Sequence, residues 1–165
     1  MTAPVNVAIT GATQVAGVTE AWTFTFGMSA GKNLISGDQV NLYLDNAAGS
    51  FDLSGVTYAS VSFGGGFNAV TTVDPAYFGA VTITSNRINL VVRRTDGLTG
   101  TGNPVLRSTD PVGVITVTGI KNPTAQTFVP VFISTTGANI MALNSNRDLN
   151  GVANGSNVVI SSGAP

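Results

Sequence analysis

The chemistry-bearing side chains of this 165-residue chain are hydroxyls, lysines and carboxylates, because it holds no histidine and no cysteine. That excludes Ser-His-Asp and Cys-His nucleophiles, imidazole general bases and His- or Cys-bearing zinc sites. Ser29-Ala30-Gly31-Lys32 fits the S-x-x-K spacing in which a lysine one helical turn away activates a serine hydroxyl. Here the four residues fall in a glycine-flanked link between strand-like segments. No S-D-N or K-T-G partner occurs, so they read as a surface loop. Asp38, Asp45, Asp52, Asp74, Asp96, Asp110 and Asp148 supply carboxylates for paired acid/base work. Nearly all stand at turns or strand ends, where an Asp oxygen caps the backbone. Glu20, the one glutamate, has no evident acid/base mate.

Calcium is the cation such a chain suits, since it takes carboxylate, amide and carbonyl oxygens from loops. Asp148-Leu149-Asn150-Gly151 is the best segment for it, with Asp148 and Asn150 as candidate ligands, although regular acidic spacing and a closing Glu are missing. No other cofactor is expected. Asn154-Gly155-Ser156 is a glycosylation acceptor on what reads as an exposed loop. Lys32 and Lys121, the only lysines, are the residues from which a lysine-to-asparagine staple could form, but neither can be matched to a partner acid. Trp22, Phe24 and Phe26 read as core, and Tyr43, Tyr58 and Tyr77 as the better candidates for a surface contact such as a carbohydrate.

Elements that would position these groups are strands throughout. Trp22-Thr23-Phe24-Thr25-Phe26 alternates aromatics with hydroxyls, and Val40-Asn41-Leu42-Tyr43-Leu44 repeats the pattern after a Ser36-Gly37-Asp38 turn. Val56 to Phe63 and Phe67 to Val73 are expected as two further strands around the Gly64-Gly65-Gly66 break. Val81–Thr84 and Ile88–Val92 read as a hairpin across Ser85-Asn86-Arg87. Thr95 to Pro111, rich in Gly and Pro, reads as a long loop. Val112–Thr118 and Phe128–Ser134 follow, the latter with Pro130 marking an edge or bulge. Ile140–Leu143 and Val158–Ile160 are short candidates. The expectation is an all-β, antiparallel two-sheet sandwich, immunoglobulin-like or jelly-roll-like, with nine to eleven short strands in one domain over residues 18–165.

Composition narrows the role. Hydrophobic residues make up 43%, enough for a core, while charged residues make up only 9% against about 25% in ordinary globular chains. Net charge is −1, with no basic patch, which disfavours nucleic acid. No apolar run approaches a membrane span. Met1-Thr2-Ala3-Pro4-Val5 is not leader-like, so an extracellular destination carries the expectation of a leader already removed. Residues 1–17 stand apart as an N-terminal strand and small-residue linker. Val5, Val7 and Ile9 are its alternating apolar positions, able to pair within their own sheet or to complete a neighbour's.

Thr23-Phe24-Thr25-Phe26, then Leu34-Ile35-Ser36-Gly37-Asp38-Gln39-Val40, then Val81 to Val92, then Ile115-Thr116-Val117-Thr118-Gly119-Ile120-Lys121-Asn122-Pro123 resemble the β-sandwich repeats of prokaryotic surface-layer and adhesin-like proteins. The resemblance spans roughly residues 18–136. It departs from the family in occurring once and in lacking an evident signal. It implies a non-enzymatic extracellular building block that repeats by subunit association, its partners being copies of itself. The expected role is a structural subunit of an extracellular or cell-surface filament or lattice, joined by strand addition. A virion coat or decoration protein and a carbohydrate-binding adhesin module are the alternatives.

Overall fold

A computed structural model describes residues 4–44, 51–67, 71–73, 81–84, 87–94, 104–136 and 157–162. Twelve strands run through them: β1 (Val5–Gly11), β2 (Thr19–Gly27), β3 (Asn33–Ile35), β4 (Gln39–Leu44), β5 (Val61–Gly65), β6 (Thr71–Val73), β7 (Val81–Ile83), β8 (Arg87–Arg94), β9 (Pro104–Arg107), β10 (Gly113–Lys121), β11 (Thr127–Thr136) and β12 (Asn157–Ile160). One sheet has the order β1-β2-β10-β5; the second runs β12-β11-β4-β8-β6, with β7 pairing the other half of β8 on the same side as β6; β3 and β9 form a small two-stranded sheet. All these pairings are antiparallel. The chain is therefore the all-β, sandwich-like fold that the period-two pattern requires.

Alternation explains which side of each strand is buried. Trp22, Phe24 and Phe26 of β2 are fully buried beside Ile115 and Val117 of β10, in one core with Val40, Leu42 and Leu44 of β4, Ile88, Leu90 and Val92 of β8, and Ile133 of β11. Fully burying one such side chain contributes roughly 1.5–3 kcal/mol. On the opposite face of the second sheet the ladder places Ser134, Asn41 and Asn89 side by side. Asn41 donates to Ser134 Oγ (3.2 Å), and Asn89 donates to Asn41 Oδ1 (2.7 Å) and Gln39 Oε1 (3.1 Å). These side-chain bonds tie β11, β4 and β8 together beyond their backbone ladder.

Three expectations need correction. Val56 to Phe63 is not one strand: Tyr58–Ser60 form a 3-10 turn and only Val61–Gly65 extend. The reason is local competition, since the Ser60 hydroxyl accepts from Thr57 N (3.0 Å) and Ser60 N donates to Thr57 O (2.9 Å). Phe67 belongs to no strand. It is fully buried, edge-on to Phe26 and Phe63, while Thr71–Val73 form the strand. Thr95 to Pro111 is not loop throughout, because Pro104–Arg107 pair with Asn33–Ile35 and bury Val105 and Leu106. Pro130 lies inside β11 where the strand changes partner: Thr127–Pro130 pair with β12 and Val131–Thr136 with β4. A residue without an N–H is tolerated at that changeover.

Candidate functional site

The described carboxylates serve the backbone. Asp38, buried, accepts from Ile35 N (2.9 Å) across the β3–β4 turn, where Gly37 takes a φ of 98°. Asp52 accepts from Ser54 N and Oγ, and those bonds, with Lys121 nearby, hold its carboxyl below the usual Asp value. Asp110 accepts from Arg107 N and pairs with its guanidinium at 3.1 Å. Burial pushes its carboxyl up, but the Arg107 bonds and charge bring it below the ordinary value. Among the described residues no three acidic side chains gather into a metal-sized cluster. Ser29-Ala30-Gly31-Lys32 is a turn closed by Lys32 N on Ser29 O (2.9 Å), with Gly31 at φ 75°. This is turn geometry and not the helical turn that S-x-x-K chemistry uses. Asp148, Asn150 and Asn154 lie outside the described residues, as do Tyr77 and the Ile140–Leu143 candidate. Of the remaining tyrosines, Tyr58 is exposed and Tyr43 is half-buried with Arg87 6.0 Å above its ring.

What stands out instead is the edge formed by β1. Among the described residues it pairs with β2 alone, so its other side is an edge of backbone donors and acceptors, of which Gly11 N is already taken by Gln14 Oε1. It contains no charged residue and no proline, devices that usually keep such an edge from pairing. The ladder is regular from Ala8 to Gly11 and shifts register between Val5 and Ala8, where Asn6 takes a φ of 53°. The bulge breaks the alternation expected for the three apolar positions. Ile9, paired with Phe24, is buried and Val7 packs against the core, whereas Val5 stands opposite Gly27 and is 37% exposed. Val5 and Val112 flank Gly27 on the outer surface, both methyls within 4.0 Å of where a Gly27 Cβ would be.

Behind β1 the link over residues 12–18 is gathered on one carboxylate and on bonds to β12 and Asn122. Glu20 accepts from Thr13 N (2.9 Å), Thr13 Oγ1 (2.5 Å), Gln14 N (2.9 Å) and Asn122 Nδ2 (3.1 Å). Partial burial pushes its carboxyl up, and these bonds outweigh that and hold it below the usual Glu value. Gln14 is held at φ 55°, a left-handed conformation that costs a non-glycine residue about 1–2 kcal/mol. Its side chain accepts from Gly11 N (3.2 Å) and donates to Val159 O (2.9 Å). Ser161 N donates to Gln14 O (2.8 Å), and Ala16 N to Ser161 O (2.8 Å). The link thus joins β1, an edge of the first sheet, to β12, an edge of the second. Asn122 completes the corner: buried, it accepts from Trp22 Nε1 (2.9 Å) and donates to Val15 O (2.8 Å). Its sequence signal was a polar Asn directly after the apolar-alternating run of β10 and just before Pro123.

Fold and edge together define an antiparallel β-sandwich in which, among the described residues, the uncharged strand β1 forms an edge. No family model matches the chain, and no curated protein matches it. Among solved structures it is similar to BslA, described as a bacterial hydrophobin, at 10% identity over 99% of this chain and 100% of that one, with a TM-score of 0.48.

Proposed function

We propose that the protein is a non-enzymatic structural subunit of an extracellular or cell-surface filament or lattice, assembled by passing β1 from one copy to the next. The observation that carries this reading is the character of β1: an edge strand without charge, joined to its sheet by a short regular ladder, with one buried anchor in Ile9. Leaving its place would expose the β2 edge and a slot for Ile9 beside Phe24, which the same strand from another copy fits. Backbone bonds would supply affinity and the Ile9 slot would supply register. Such head-to-tail exchange grows openly unless its rotation closes. Low charge supports it further, because copies with a net charge of −1 repel one another little.

Removing residues 2–10 tests the reading. The shortened chain is expected to stay folded and monomeric by light scattering and electron microscopy, under conditions in which the full chain polymerises. A synthetic peptide of residues 4–11 is expected to bind it saturably, and an Ile9→Asn peptide to bind at least about tenfold more weakly, the loss of a buried anchor. Polymers that persist after the truncation would overturn strand exchange.

A further inference from the structure

We propose that Glu20 is an acid-sensitive latch that holds residues 12–18, and through them β1, in their own sheet, and that protonating it frees β1 for exchange. This inference rests on the strand-exchange reading for its consequence, though the latch itself can be tested without it. For β1 to leave, the link over residues 12–18 must open from a tight loop into an extended hinge. Four donors converge on one carboxylate that closes the half of the loop next to β1, two of them backbone N–H groups of Thr13 and Gln14, while Gly17 N on Pro123 O (2.8 Å) holds its far end independently. A neutral carboxyl has one oxygen turned donor, so it cannot accept all four. The left-handed Gln14 would then be free to relax, taking with it the Ser161 and Val159 contacts that pin the loop to β12.

The surroundings single out this group. Among the described residues, β1, the 12–18 link and β12 hold no ionisable side chain, and β2 holds Glu20 alone. On β10 the one charged residue is Lys121, opposite Thr19, and it faces Asp52, with which it exchanges backbone bonds of 2.9 and 3.0 Å. Asp52 is the other described carboxyl near this corner, and the Glu20→Gln variant separates its titration from that of Glu20. Because the folded form holds Glu20 below its ordinary value of 4.5, its contribution is complete above that pH and is lost as pH falls through the lower, folded value.

Amide-exchange protection factors, measured by NMR on the full chain between pH 6 and pH 3, test the latch. In the unmodified protein, protection of β1 and residues 12–18 is expected to fall about tenfold, as loss of charged hydrogen bonds implies. The fall should track the Glu20 side-chain carboxyl shift while β4 and β8 stay protected. Glu20→Gln is expected to show the low protection already at pH 6 and no pH step. Thr13→Ala, which keeps the carboxylate and loses one donor, should retain the step. A step that survives in Glu20→Gln, or full β1 protection in that variant at pH 6, overturns the latch. Light scattering on the same samples separates the two ideas. A loosened β1 without polymers upholds the latch and sinks strand exchange; polymers formed in acid with β1 still protected sink the latch and leave exchange standing.

Discussion

Trp22→Ala is expected to destabilise the protein by about 4 kcal/mol, the usual range for emptying a buried tryptophan site. Trp22 is fully buried and meets Phe51 edge-on at 5.4 Å and 85°. Its ladder partners are Gly11 of β1 and Val117 of β10. A Cβ on Gly11 would lie 2.6 Å from the indole, so the ring and the bare backbone opposite it are fitted to each other. Its Nε1 donates to Asn122 Oδ1, the amide whose other end bonds Glu20 and Val15. Alanine would open a cavity and leave that buried oxygen unpaired at once. Native stability is typically about 5–15 kcal/mol, so the variant should sit near the edge of folding. Trp22→Phe keeps most of the packing and removes only the N–H, which should cost about 1–3 kcal/mol. Guanidinium unfolding followed by far-ultraviolet circular dichroism measures both, because the chain has one tryptophan and the variants lose its fluorescence. A Trp22→Ala loss below about 1 kcal/mol would contradict the cavity argument.

Gly66→Ala is the second large effect, expected at about 3 kcal/mol for an overpacked site. Gly66 is buried and its N–H donates to Val112 O at 2.8 Å. A methyl there would collide with the Pro111 carbonyl oxygen and lie 2.8 Å from Leu106 Cδ1. The obstructing atoms are mainly backbone, which cannot rotate aside as a side-chain end can. Gly64→Ala, two residues earlier, is the matched control, since a Cβ there meets nothing within 4 Å. It should change stability by no more than about 0.5 kcal/mol. Urea midpoints at constant slope report the difference directly. Equal losses for the two variants would show that flexibility, and not the Pro111 approach, explains the glycine run.

Several features were legible from residue order because they depend on local alternation. The aromatic face of Trp22, Phe24 and Phe26, the inward side of Val40, Leu42 and Leu44, and the Val81–Ile83 hairpin all follow from period two. Turn-capping by Asp38, Asp52 and Asp110 was legible for the same reason, since an aspartate oxygen reaches backbone two or three residues away. Residues in β3 and β9 were not legible as partners. Asn33–Ile35 and Pro104–Arg107 are short, and each becomes a strand because the other, about seventy residues away, supplies its hydrogen bonds. Tyr58–Ser60 misled because two hydroxyl residues offered the backbone a local alternative to extension.

The N-terminal strand shows the division best. Sequence alone determined that Val5–Ile9 is extended, apolar on alternate residues and uncharged, and that the chain carries neither histidine nor cysteine chemistry. Only the tertiary structure decided that a bulge at Asn6 turns Val5 outward while Ile9 stays in the core. It also decided that Glu20, Thr13, Gln14 and Asn122 form one corner. Alternation is a property of neighbours along the chain, whereas that corner requires Asn122 to come back across about a hundred residues when β10 pairs with β2. Long-range pairing of this kind is chosen by the whole core, and no local pattern encodes it.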